Sequence, residues 1–341
     1  MPAALPAQAL KIFSTCPPSA MAQSDAYLRQ VEEIARWSEE AGCEGILVYA
    51  DNGQVDPWLV SQVILGATRQ LCPLVAVQPV YMHPYSVAKM VASIGFLHRR
   101  RVYLNMVAGG FKNDLEALDD RTPHDERYAR LAEYTTIVQE LLRKYEPVSF
   151  DGRYYRISNL KLAPPLPTDL QPGILVSGSS AAGMEAARQL GAIPVEYPKP
   201  PNEYTRANSP GNSAHGIRVG IIARGREEEA WSVAHARFPA ERKGQLTHQL
   251  AMKVSDSSWH RQLSELGNAP PSAHNPYWLV PFENYKTFCP YLVGSYAQVA
   301  DMLACYVAVG YRTFVLDVPA SAEELGHIGA AFSRAAPRRA A

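Results

Sequence analysis

The sequence predicts a (β/α)8 TIM-type barrel with insertions. Three observations carry that prediction. Eight short apolar runs each read as a strand buried on both faces. Most are followed by a helical pattern, the order expected of parallel strands joined by covering helices. No G-x-G-x-x-G follows the first run, which weakens the rival, a doubly wound open sheet of the dinucleotide-binding kind.

The elements follow in order. Leu10–Thr15 is the first strand, and its helix has apolar residues at Leu28, Val31, Ile34 and Ala35, with Gly42 as a stop. Glu44–Ala50 is the second, followed by a helix with Asp56 as N-cap and Pro57 at its first position. Leu74–Pro79 and its helix "SVAKMVASIGFL" come next, then Val102–Val107. A long amphipathic helix from His124 to Arg143 precedes a small hairpin, Phe150–Ile157. Gly173–Gly178, Ala192–Tyr197, Ile217–Ala223 and Arg312–Val318 complete the eight strands. The expected organisation is one barrel domain over residues 1–341, with insertions at about 144–172, 198–216 and 240–291.

Composition narrows the function. The 341 residues carry 33 basic and 33 acidic side chains, so neither a nucleic-acid stripe nor a charged tail is expected. No apolar run approaches the ~18 residues of a membrane span. The five cysteines are widely spaced, with neither zinc-site spacing nor a disulfide framework. A cytoplasmic protein without a metal centre is the expectation.

Two stretches carry chemistry. In "VSGSSAAGMEAARQLG" a strand runs into Gly178-Ser179-Ser180 and then a helix, so free N–H groups, the positive end of the dipole and two hydroxyls converge on an anion. A phosphate is the natural occupant; simple helix capping by one Ser is the alternative. In "NMVAGGFKNDLEALDDRTPHDERYARLAEY" the helix start reads as Thr122 N-cap, Pro123 at the first position and Asp125 or Glu126 as capping carboxylate. That leaves His124 and Tyr128, one turn apart on a helix face, unexplained; Asn105 and Val107 at the preceding strand end can share their cavity.

Several segments together, "HPYSVAKMVASIGFLHRRRVYLNMVAGG", "HDERYARLAEYTTIVQELL" before "VSFDGRYYRI", "VSGSSAAGMEAA" and "YLVGSYAQVADMLACYVAVGYRTFVLDV", resemble the bacterial luciferase-like flavin-dependent monooxygenases, and among them the alkanesulfonate monooxygenase type. The resemblance implies reduced FMN as cofactor, supplied by a separate flavin reductase, and O2 as co-substrate. By position it implies phosphate contacts at Ser179 and Ser180, and flavin contacts at His124, Tyr128, Asn105, Gln78 and, more weakly, Asp51. Relatives of this kind are homodimers or homotetramers.

The chain also departs from that pattern. The sulfonate-cleaving enzymes carry a Cys in the loop after the second strand, where this chain has Gln54. They carry Arg-x-His where this chain has Arg218 and Gly220, and a Tyr after the last strand where it has Asp317-Val318-Pro319. Gln54 and Arg218 are therefore the catalytic candidates. Arg218 either holds an anionic group of substrate or oxidant or is a salt-bridged strand residue. The expected function is a monooxygenase placing one oxygen atom in a small organic substrate by C–S cleavage, Baeyer–Villiger-type insertion or N- or C-hydroxylation. The alternatives are an F420-dependent hydride-transfer enzyme, a tailoring enzyme for a carrier-protein-tethered natural-product intermediate, and an inactive flavin-binding relative.

Three further features have plainer readings: Cys16 as a small buried hydrophobe, His83 as a loop-ordering residue, and His98–Arg101 as a solvated run complementing a helix end. The aromatic stretch His274–Tyr291 is expected to cover an apolar pocket, with an oligomer contact as the alternative.

Overall fold

The computed structural model describes residues 10–20, 22–205, 214–239, 275–284 and 286–335. In chain order the strands and helices are β1 (Lys11–Thr15), α1 (Ser24–Glu40), β2 (Gly45–Val48), α2 (Pro57–Ala67), β3 (Cys72–Val77), α3 (Pro84–His98), β4 (Tyr103–Val107), α4 (Lys112–Ala117), α5 (His124–Arg143), β5 (Val148–Asp151) and β6 (Arg156–Leu160). They continue with β7 (Gly173–Ser177), α6 (Ala181–Leu190), β8 (Ile193–Glu196), β9 (His215–Arg224), α7 (Glu227–Arg237), β10 (Tyr277–Trp278), α8 (Val280–Glu283), β11 (Tyr291–Ser295), α9 (Tyr296–Val309), β12 (Tyr311–Leu316) and α10 (Ala322–Ala335). All eight strands expected from the sequence are formed, and the fold class is the (β/α)8 barrel. The described residues fall into two compact units: one holds the chain up to Thr15, Glu33–Glu44 and everything from Val195; the other holds Cys16–Glu32 and Gly45–Pro194.

In the second unit β2, β3, β4 and β7 pair in parallel, in that order. Alternate side chains define two faces. Val75, Val77, Leu104, Met106, Ile174 and Val176 join one core with Val91, Leu131, Tyr134 and Val138 of the helices. The other face carries Ala76 and Gln78, Asn105 and Val107, Leu175 and Ser177, so its polar groups gather toward the C-terminal ends of the strands. This is where barrels of this class build sites. The Asp56 cap is as read: its Oδ1 accepts from the N–H groups of Trp58 and Leu59 at 2.9 and 3.2 Å; His83, read as a loop-ordering residue, is instead the N-cap of α3, its Nδ1 accepting from Tyr85 N–H at 3.2 Å. The run His98–Arg101 is solvated only in part: Arg99 is exposed, and His98 is the basic residue in the last turn of α3. Arg99 ends α3 in the left-handed region (φ 53°), and Arg100 and Arg101 donate to the carbonyls of Thr68 and Asp169.

The expected hairpin is β5–β6. The Glu133 carboxylate on α5 holds its turn, accepting from the N–H groups of Arg153, Tyr154 and Tyr155 at 2.9, 2.8 and 3.3 Å.

The start of α5 corrects the sequence reading. Pro123, not Thr122, is the N-cap, and no side chain caps the helix. Thr122 is turned away, giving its O–H and N–H to Asp120 Oδ1 at 2.6 and 3.2 Å. Arg130 pairs with the other Asp120 oxygen at 2.6 Å, and Arg127 donates to Thr122 O at 3.0 Å. A nearly buried ion pair thus does what a cap was expected to do. Asp125 and Glu126 are engaged by His124 and Arg153.

In the first unit β1, β12 and β9 pair in parallel, and β9 also pairs with β8 and β11. The β11–α9 unit is absent from the sequence reading, which ran an insertion through Tyr291. Its signature was present: Ser295 and Gln298 form a reciprocal capping box. The described part of the aromatic stretch builds core: β10 pairs antiparallel with β11, and Trp278, Leu279 and Phe282 are buried. Residues 240–274 of the expected insertion, and 206–213 of the loop at 198–216, lie outside the described residues.

The Asp120 pair gives a stability prediction. Burial alone would raise the Asp120 carboxyl, but the Arg130 and Thr122 donors outweigh it and hold it at about 2. A pKa below the unfolded value of ~3.9 means a contribution present above that value and lost as pH falls through the folded one, here about 2 kcal/mol. In urea denaturation, Asp120→Asn is expected to be less stable than wild type at neutral pH, with the difference shrinking between about pH 5 and pH 2.

Candidate active site

Each unit carries one constellation of sequence-predicted residues. In the second unit the helix-borne pair and the anion loop, read as separate signals, come together around the phenol of Tyr128. Gly178 has φ +149°, and a side chain there would run into the Tyr128 hydroxyl, with the ring carbon behind it at 3.1 Å. A Cβ at Gly183 would meet the same ring at 3.1 Å. The two glycines therefore create the space the tyrosine fills. Its hydroxyl lies 3.4 Å from Ser177 O, long for an O–H···O bond, and so is only loosely held. Burial raises the phenol, and the Ser180 contact works against that shift. It stays protonated near neutral pH and offers a donor.

His124 packs edge-on to Tyr128 at 5.3 Å, and its Nδ1 lies 2.7 Å from Asp125. Ser180 is the N-cap of α6, accepting from Gly183 N–H at 3.1 Å. The capping reading of that serine holds, and it leaves the N-terminus of α6 with Ser179, Gly178 and the Tyr128 hydroxyl around it. Asn105 joins the cluster through Ser177 Oγ, at 2.8 Å, and Val107 is the register partner of Ser177.

Gln78, Asp51 and Gln54 gather at a cavity of about 310 Å³ bounded also by Tyr81, Met82 and Trp58. Gln78 is fixed by its amide donating to Ala50 O at 2.8 Å. Asp51 Oδ1 accepts from Gly53 N–H at 2.7 Å, shaping its loop. Gln54 Oε1 accepts both the N–H and the O–H of Ser19, at 2.6 and 2.9 Å. Its carbonyl end is thereby a brace, which the catalytic assignment did not anticipate. Sequence reasoning missed Tyr81, whose hydroxyl donates to Asn52 Oδ1 at 2.9 Å. Burial, with Asp114 and Asp51 nearby, pushes it up to about 12. Cys16 is a buried thiol pushed up to about 12 by desolvation, the inert kind expected.

The first unit holds Arg218, buried on β9. Its guanidinium lies 3.9 Å from Asp317 Oδ1, too far for a direct hydrogen bond. The other Asp317 oxygen accepts from Thr287 Oγ1 at 2.6 Å and from Tyr291 O–H at 2.8 Å. Tyr291 is the register partner of Gly220, and a side chain at Gly220 would fall within its ring. Two departures noted in the sequence, Gly220 and Asp317, are thus joined by a residue from a third strand. Its signal was the short apolar run at the start of "YLVGS", just before the capping box.

The chain belongs to the luciferase-like monooxygenase family. The family model "Luciferase-like monooxygenase" matches residues 10–313. A curated relative from Niallia circulans, 4-(gamma-L-glutamylamino)butanoyl-[BtrI acyl-carrier protein] monooxygenase BtrO, is 36% identical over 307 residues, covering 88% of this chain and 89% of that protein. Among solved structures, the oxygenating constituent of 3,6-diketocamphane monooxygenase from Pseudomonas putida, a type II Baeyer–Villiger monooxygenase in complex with FMN, covers 96% of this chain and 97% of its own, with a TM-score of 0.67 at 15% identity. An F420-dependent secondary alcohol dehydrogenase in complex with an F420-acetone adduct covers 96% and 98%, with a TM-score of 0.62 at 16% identity. These two likenesses concern the fold. The enzyme class expected from the sequence, a monooxygenase, stands.

Gly178→Ala is expected to cost at least about 2 kcal/mol in chemical denaturation, through the left-handed φ and the clash with Tyr128. Adding Tyr128→Phe should recover part of that loss, because the nearest clashing atom is gone. Gly110→Ala, with open space around it, should stay within about 0.5 kcal/mol of wild type.

Proposed function

We propose that the protein is a reduced-FMN-dependent monooxygenase that places one atom of O2 in an acyl substrate tethered to a carrier protein. The observation that carries the flavin assignment is the convergence of Tyr128, Gly178, Ser179 and Ser180 on the N-terminus of α6. The fit can be tested on the residues themselves. A glycine whose Cβ space is taken by a phenol, a helix N-terminus and neighbouring hydroxyls make a donor cradle for a phosphate. From that cradle the polar face runs by Ser177 and Asn105 to Ala76 and Gln78 at the cavity, across β7, β4, β3 and β2. Three interstrand steps are roughly 14 Å, which suits a ligand with a phosphate at one end and a flat ring system at the other.

Bound reduced flavin would supply the reaction with O2. The chain's own residues do the rest. Ser179, Ser180 and Tyr128 hold the phosphate. His124 packs edge-on against Tyr128 and fixes it. Asn105, Val107, Gln78 and Asp51 face the ring, and the apolar strand face excludes water. Gln54 braces the loop over the cavity through Ser19, and its amide N–H2 is the part left for a substrate. Arg218 donates to an oxygen of the substrate or the oxidant.

The carrier-tethered substrate rests on the 36% identity to the N. circulans enzyme along nearly the whole of both chains. The sulfonate-cleaving subgroup is less well supported, because Gln54, Gly220 and Asp317 replace its pattern. The F420 reading keeps the same fold and is favoured by the likeness to an F420-dependent dehydrogenase. A separate flavin reductase is part of the proposal. So is self-association, supported by Leu59, Phe96 and Leu97 on α2 and α3, which are 65–69% exposed. Cytoplasmic residence accords with free cysteines and with the absence, among the described residues, of a helix long and apolar enough to cross a membrane.

Anaerobic titration with reduced FMN tests the assignment. Micromolar binding is expected, weakened at least about tenfold by Ser179→Ala/Ser180→Ala. Binding of F420 in preference to FMN would move the protein to the hydride-transfer reading, and binding of neither below about 1 mM would end both.

A further inference from the structure

We propose that Gln54 and Gln78 form a donor–acceptor pair that recognises an amide-type group, a carbonyl oxygen beside an N–H, on the ligand of the cavity they share. The inference rests on the reading of that cavity as part of the proposed site and deepens it.

The first question is which end of each carboxamide is left for a ligand. Gln54 meets the backbone N–H of Ser19 at 2.6 Å. A backbone N–H can only donate, so Gln54 must turn its oxygen to Ser19. The Ser19 hydroxyl donates to the same oxygen at 2.9 Å and is itself held by Val55 N–H at 2.8 Å. The N–H2 of Gln54 is therefore the end left to the cavity, and it meets no acceptor among the described residues. Gln78 is turned the other way. It meets the Ala50 carbonyl at 2.8 Å. A carbonyl can only accept, so Gln78 must turn its N–H2 to Ala50. Its oxygen is the end left to the cavity, and it meets no donor among the described residues.

Both carboxamides are anchored to the loop after β2. Gln78 bonds Ala50, and the backbone N–H of Gln54 bonds Asp51 O at 3.3 Å. Gln78 is only 8% exposed, so its oxygen has little water to turn to, and a ligand N–H is the group that satisfies it. The neighbouring polar groups are engaged. Asp51 Oδ1 takes Gly53 N–H, Asp56 Oδ1 caps α2, and Tyr81 gives its proton to Asn52. Ala76, Val77, Pro57 and Met82 supply apolar wall. A secondary amide matches this wall at both ends. An ester matches Gln54 alone and sets an oxygen against the oxygen of Gln78. Two ligands of the proposed reaction carry the amide pattern: a substrate amide, and the pyrimidine edge of the flavin ring.

The test uses N-propylbutanamide and propyl butanoate, which share shape and carbonyl and differ in N–H against O. Their competition is followed by ligand-observed NMR on the full-length chain, without FMN and with it. Wild type is expected to hold the amide at least about tenfold tighter than the ester. Gln78→Met should lose that preference. Gln54→Met should weaken both probes and leave their ratio in place. The ratio is taken within one protein, so a general loss of stability does not mimic it. Should Gln78→Met fail to fold, the wild-type ratio and the parallel weakening in Gln54→Met decide the matter. An amide preference that persists with FMN bound assigns the pair to the substrate. FMN that displaces the amide, and itself binds Gln78→Met more weakly, assigns the pair to the ring edge. Equal binding of the probes to wild type, or a preference that Gln78→Met leaves unaltered, overturns the acceptor role of Gln78; the second oxygens of Asp51 and Asp56 are then the acceptors. Binding that Gln54→Met leaves unchanged overturns the donor role of Gln54, and no binding of either probe overturns the inference. The arm without FMN does not depend on the flavin assignment, so the two can fail separately.

Discussion

The phenol of Tyr128, seated in the space that Gly178 and Gly183 leave empty, is the contact on which the proposed cofactor site depends. It ties three elements of one unit. Helix α5 supplies the ring, strand β7 supplies the carbonyl at Ser177, and α6 presents its N-terminus beside the hydroxyl. A larger residue at either glycine would push the ring away, and the donors gathered there would no longer point at a common place. The same contact explains the rest of the start of α5. The ring's position is fixed along the helix by packing, so the loop before the helix must be anchored independently. The Asp120–Arg130 pair with Thr122 does so without using a cap.

The first unit repeats the device with a different result. At Gly220 too, a missing side chain admits a tyrosine from another element, but there the hydroxyl is committed to a carboxylate, that of Asp317. The difference lies in what the hydroxyl meets. Tyr128 is loosely bonded beside a helix N-terminus, an arrangement suited to an anion. Tyr291 is committed to Asp317, and Asp317 faces Arg218. Glycine–tyrosine exchanges of this kind let a barrel keep its strands and change its chemistry, because the backbone register is untouched.

Much of this was legible in the sequence. The strands were visible because each is buried on both faces and reads as a short apolar run between turn signals. Asp56-Pro57 marked a helix start because its cap acts within three residues; His83-Pro84 opens α3 in the same way but was read only as a loop. The members of the Tyr128 cluster were each identifiable, and the family resemblance grouped them, but the contact that joins Tyr128 to Gly178 spans 50 positions and has no local signal. Thr122 was misread for the opposite reason. Its local pattern fits a capping box, but Asp120, two residues before it and braced by Arg130, takes its hydroxyl instead. The strand at Tyr291 was hidden by the prolines and aromatics before it, which read as loop, although Ser295 and Gln298 announced the helix behind it. Gly220 and Asp317 registered only as departures, since nothing in their own neighbourhoods names Tyr291 as the residue between them.

The central claim is that the Tyr128–Ser180 cluster receives a phosphate, and comparing FMN with riboflavin tests it most directly, because the two differ only in that group. Equilibrium binding of both, oxidised and reduced, to wild type and to Tyr128→Phe/Ser180→Ala separates the phosphate's contribution from that of the ring. The account predicts FMN tighter than riboflavin by at least about a hundredfold in wild type, a gap that narrows by at least about tenfold in the double variant. Equal affinities in wild type, or a gap that the double variant leaves unchanged, would contradict it.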